Sequence, residues 1–76
     1  MTETELKNKV ISWFEAQNIK FKNRPCRFTP KEVAEAVGGA YGSLGKVSES
    51  VVSELVGRSI KIRYLCIGNR RYFELL

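Results

Sequence analysis

Histidine and aspartate are absent from this 76-residue chain, and glutamine occurs once, at Gln17. Without histidine there is no Ser-His-Asp or Cys-His pair, and the commonest transition-metal ligand is missing. The carboxylates are all glutamates and form no recognisable acid–base pair, and no G-x-x-x-x-G-K loop occurs to cradle a phosphate. The chain therefore reads as a non-enzyme, with no cofactor, no metal and no small-molecule ligand evident. Cysteine is scarce too. Cys26 and Cys66 lie far apart with no C-x-x-C, so two reduced thiols are expected, not a disulfide or a zinc site. No apolar run approaches the roughly 18 residues of a membrane helix, and the opening MTETELKNK has no secretory core. A cytoplasmic protein with no membrane association is expected.

What is abundant is positive charge. Thirteen Lys and Arg against eight Glu give a net charge of +5 and a pI near 9.5. A small basic domain attracts polyanions, of which nucleic acid is the commonest in a cell. Heavy use of Glu and Lys with few labile residues also fits thermophilic usage. A chain of this length buries only about 60% of its unfolded surface, so residues 1–76 are expected to form a single domain around one modest core.

The organising stretch is Thr29 to Gly57, TPKEVAEAVGGAYGSLGKVSESVVSELVG. Thr29 and Glu32 form a T-x-x-E capping box, and Pro30 sits where a missing N–H is harmless. Val33, Ala34 and Val37 give an apolar stripe, and Gly38-Gly39 end the helix. Ser43 offers a second N-cap. Leu44, Val47, Val51, Val52 and Leu55 then recur at helical spacing, and Gly57 marks the end. Two short helices about a small-residue turn make a helix-turn-helix. Before it, Leu6, Val10, Trp13, Phe14 and Gln17 place a helix over about Thr4 to Asn18, with Ile11 at the edge of its stripe. Pro25 disfavours helix at Arg24, so IKFKNRPCR reads as a basic loop entering a short strand near Cys26–Phe28.

Past Gly57 the apolar period changes from 3.6 to 2. Ile60 to Ile67 alternates, Gly68-Asn69 turns, and Arg70 to Leu75 returns, which is a two-residue hairpin. With Ile67 opposite Arg70, Tyr64 faces Phe73, Ile62 faces Leu75 and Arg63 faces Glu74. Ile60, Ile62, Tyr64, Phe73 and Leu75 then share the face that presses on the helices. Strands of about eight residues reach ~26 Å, more than the core needs, so the tip at Arg70-Arg71 should project.

This order, with RFTPKEVAEAVG and KVSESVVSELV as paired helices and IRYLCIGNRRYFEL as a hairpin, resembles the winged helix-turn-helix family. The likeness covers nearly the whole chain as element order and local pattern, and small basic members are frequent in archaea and their viruses. It implies an α+β fold of three helices plus a C-terminal β-hairpin wing, in the order α-β-α-α-β-β. It also implies double-stranded DNA binding and transcriptional regulation, and so a nucleoid location. The recognition helix would bring Tyr41, Ser43, Lys46, Ser50 and Ser53 to the bases. Arg70 and Arg71 on the wing would hold backbone or minor groove, with Arg27, Lys31 and Arg58 adding phosphate contacts. Glu49 and Glu54 on the same helix argue for modest sequence specificity. Ile11, Trp13, Leu65, Ile67 and Tyr72 are candidates for a homodimer interface. The competing expectation is a winged-helix module that binds another protein and no DNA.

Overall fold

The computed structural model describes residues 2–20, 23 and 25–76. Lys22 and Arg24, half of the basic cluster in the loop after the first helix, lie outside the described residues. Helix α1 spans Glu3–Lys20, slightly longer at both ends than expected. The Thr2 hydroxyl accepts a hydrogen bond from the Glu5 amide at 3.1 Å, and Glu3 and Glu5 sit in the first turn, where the helix dipole favours carboxylates. Leu6, Val10, Ile11 and Phe14 are buried. Trp13 is half-buried and meets the rings of Phe14 at 5.0 Å and Phe28 at 5.2 Å edge-on. Ile11 needs a correction. Far from edging an exposed seam, it is only 2% exposed, because its side chain is enclosed by the monomer's own core.

After strand β1 (Cys26–Phe28), helix α2 spans Pro30–Val37. Its start follows the sequence: the Thr29 hydroxyl accepts from the Glu32 amide at 3.2 Å, and Pro30 opens the helix. Gly38 adopts a left-handed φ of 73°, and the Gly38 and Gly39 amides close on the Glu35 and Ala34 carbonyls. Helix α3 spans Tyr41–Gly57, beginning two residues before the expected cap at Ser43. Ala40 takes the extended capping conformation with no side-chain hydrogen bond, and Ser43 lies inside the first turn. The reversal is complete by Gly39, so the chain re-enters helix at once. The Leu44 amide returns to the Ala40 carbonyl at 3.1 Å, and the Leu44 side chain is fully buried.

Val47, Val51 and Leu55 are buried as their spacing requires, and Val52 is half-buried. Ser48 is buried among them and donates its hydroxyl proton to the Leu44 carbonyl at 2.9 Å, so no polar atom is stranded. Gly57 is the last helical residue, yet the left-handed position falls on Ser59, φ 66°. The Ser59 and Ile60 amides return to the Val56 and Leu55 carbonyls at 3.0 Å each.

Strands β2 (Ile62–Ile67) and β3 (Arg70–Leu75) form the hairpin in the expected register, from Ile62 opposite Leu75 to Ile67 opposite Arg70. The positive φ at the turn, 62°, falls on Gly68 alone, the first central residue, as the type II′ pattern requires. β1 adds antiparallel to the far edge of β3, giving the order β1-β3-β2. Ile60, Ile62, Phe73 and Leu75 are buried against the helices. Phe14 and Phe73 meet at 5.1 Å and join α1 to the sheet. The result is the α+β, winged-helix-like layout that the sequence predicts.

Candidate functional site

Side-chain parity along the hairpin sends Arg71, Phe73 and Leu75 to the helix-facing side, opposite Cys66, Tyr64 and Ile62. Phe73 and Leu75 are covered by the helices, whereas Arg71 lies past the edge of the core and is exposed. Tyr64, between these two regimes, is half-buried, and its ring packs on Phe73 at 4.7 Å. The hairpin tip therefore overhangs the helices. Between them lies an open cleft of about 730 Å³. The hairpin side contributes Tyr64, Asn69, Arg70 and Arg71, the start of α2 contributes Thr29, Pro30 and Lys31, and the start of α3 contributes Tyr41, Gly42 and Gly45.

Electrostatics mark this cleft off from the rest of the surface. Arg27, Arg58 and Arg63 each hold a carboxylate. Arg27 Nε lies 2.7 Å from Glu74 Oε2, and Arg63 Nη2 lies 2.6 Å from Glu74 Oε1. Arg58 lies 2.7 Å from Glu15 and 3.5 Å from Glu54. Arg70, Arg71, Lys31 and Lys46 have no ion pair among the described residues. Four cations without an ion pair thus gather at the cleft or one turn beyond it, and the ion-paired arginines lie elsewhere; Lys9 and Lys61 also have no ion pair among the described residues and do not line the cleft. Helix α3 adds to this field: its first turn holds no acidic residue and no side-chain cap, so the positive end of its dipole is uncompensated.

The structure divides the expected base-contact residues. Tyr41, 61% exposed, lines the cleft. Lys46 is exposed and Ser43 half-buried, both in the first half of α3. Ser50 and Ser53 lie apart, in a shallow depression shared with Lys7, Glu49 and Glu54, where Lys7 reaches Glu54 at 3.4 Å. Of the expected phosphate contacts, Lys31, Arg70 and Arg71 meet at the cleft, whereas Arg27 and Arg58 are engaged as described. On the outer sheet face, Leu65 and Tyr72 are half-buried cross-strand partners, Ile67 is 46% exposed, and the Arg27 guanidinium stands 5.9 Å from the Tyr72 ring centroid.

Sequence reasoning missed the glycines at the cleft. Gly42 and Gly45 sit in the first turns of α3 at negative φ, and a Cβ at either would meet open space. Neither a turn nor internal packing requires glycine there. The detectable signal is that two residues of poor helix propensity persist inside an otherwise regular helix. The role of Arg27 was also missed. Its pairing with Glu74 depends on β1 joining β3, which brings together residues far apart in the chain.

Glu74 is almost wholly enclosed, yet it stays ionised. Hydrogen bonds from Arg27 and then Arg63 hold its carboxyl below the ordinary value, against the opposing effect of burial. It ties β1 and β2 across β3 from the outer face. No metal-ligating group of three or more acidic or thiol side chains occurs among the described residues. No protein-family model, curated protein or solved structure matches this chain.

Proposed function

We propose that this protein binds double-stranded DNA in the manner of a winged helix-turn-helix protein and acts in transcriptional regulation at the nucleoid. The observation that carries this reading is the convergence of Lys31, Arg70 and Arg71, all free of carboxylates, on the uncompensated start of α3. The N-terminal half of α3, through Tyr41, Ser43 and Lys46, enters the major groove, and the hairpin tip holds the flanking phosphates. The carboxylates beside Ser50 and Ser53 keep the C-terminal half of the helix away from the backbone, so specificity is modest. The longest dimension of one protomer is 31 Å, slightly less than the ~34 Å of one helical turn. A homodimer therefore reads a longer, symmetric site.

The test is the salt dependence of binding to a duplex of random sequence. With Lys31, Lys46, Arg70 and Arg71 at phosphates, log affinity falls against log salt with a slope of about −4. A second reading, a protein-binding module, is favoured by the carboxylates at 49 and 54 and by the apolar outer face around Ile67. Absence of duplex binding at low salt would select it.

A further inference from the structure

The cleft has two chemistries. Part of its lining is cationic, with Lys31, Arg70 and Arg71 exposed, and part is aromatic and small: Tyr41, Tyr64 and the bare helix backbone at Gly42. A groove that only straddles a phosphodiester backbone needs the first and has no use for the second. Tyr41 is 61% exposed, and its side chain has no hydrogen bond or ring contact among the described residues. Tyr64 is held in place by Phe73 at 4.7 Å. About 730 Å³ falls within the range of sites that enclose a small organic ligand, and Arg70 and Arg71 of the hairpin tip both line it.

A nucleotide unites these requirements, because its base is a flat π-surface and its phosphate is an anion one sugar away. Aromatic faces beside a basic rim are how proteins hold unpaired bases without regard to sequence. Within a duplex both faces of every internal base are already stacked, so the rings favour an unpaired nucleotide. We propose that the cleft takes an unpaired nucleotide, its base on the Tyr41 and Tyr64 rings and its phosphate on Arg70 and Arg71. The protein then prefers duplex ends and junctions that carry a single-stranded extension. This inference rests on the DNA-binding reading above and names the form of DNA that the site selects.

The experiment compares a blunt duplex with the same duplex carrying a short thymidine overhang, using wild type, Tyr41→Ala and Tyr41→Phe. Thymidine monophosphate serves as a competitor. The expected result is about tenfold or tighter binding to the overhang duplex, retained in Tyr41→Phe. Tyr41→Ala should weaken binding to the overhang duplex about tenfold more than binding to the blunt duplex, so that the preference between the two is lost. Equal affinity for the two DNAs, or equal weakening of both by Tyr41→Ala, overturns the inference and leaves duplex binding standing. Competition by the free mononucleotide as effective as that by the overhang strand also overturns it, since the site would then serve a free nucleotide. No salt-sensitive binding to either DNA would remove the parent reading as well.

Discussion

At the scale of single residues, the chain places glycine at Gly45, where its own fold does not ask for it, and serine at Ser59, where the backbone does. Gly45 has negative φ, open space beside its Cα and a position inside α3. Gly45→Ala should therefore stabilise the fold by about 0.5–1 kcal/mol. That corresponds to a rise in melting temperature of roughly 2–8 °C for a domain of this size. The same change should weaken DNA binding, because a methyl group then projects into the cleft. Ser59 is the converse, a left-handed residue that carries a Cβ. Ser59→Gly should stabilise by about 1 kcal/mol, measurable by denaturant titration. Glu74 sets a pH dependence. Its carboxyl is depressed in the folded state, so its stabilisation is present above the ordinary carboxylate range and is lost as pH falls through the folded value. In Glu74→Gln, melting temperature against pH should lose that acid limb, and the variant should be less stable than wild type at neutral pH, where Arg27 and Arg63 lose their charged partner.

At the scale of elements, what could be read from the sequence was what neighbouring residues decide. The hairpin register was legible down to Tyr64 opposite Phe73, because Gly68-Asn69 fixes the turn and parity does the rest. The α2 cap was legible because Thr29, Pro30 and Glu32 are adjacent. The start of α3 was not. Ser43 is a better capping residue than Ala40, but the Gly38-Gly39 reversal closes early and tertiary burial of Leu44 sets the phase. The burial of Ile11 and the Arg27 arm of the triad at Glu74 were hidden for a similar reason, since both depend on contacts between distant segments, whereas Arg63 opposite Glu74 followed from the hairpin register. Gly39 shows the junction under constraint. A Cβ there would overlap Cδ1 of the buried Leu6, so α1 packs directly on the α2–α3 turn. Gly39→Ala should destabilise by about 1–3 kcal/mol, detected as a lower denaturation midpoint at unchanged slope.

At the scale of the whole molecule, the sheet and helices divide the cations into two populations. One is tied to glutamates on the outer sheet face and along α1 and α3, and the other stands free, with Lys31, Arg70 and Arg71 around the cleft and Lys9 and Lys61 apart from it. Net charge alone cannot make that distinction; only the placement of the eight glutamates does. The central claim is that the free cations at the cleft are the ones that meet phosphate. The most direct measurement compares the salt slope of duplex binding for Arg70→Ala/Arg71→Ala with that for Arg58→Ala. The double variant should flatten the slope by one to two units, while Arg58→Ala leaves it at the wild-type value. An unchanged slope in the double variant, or an equal loss when Arg58 is removed, would contradict the account.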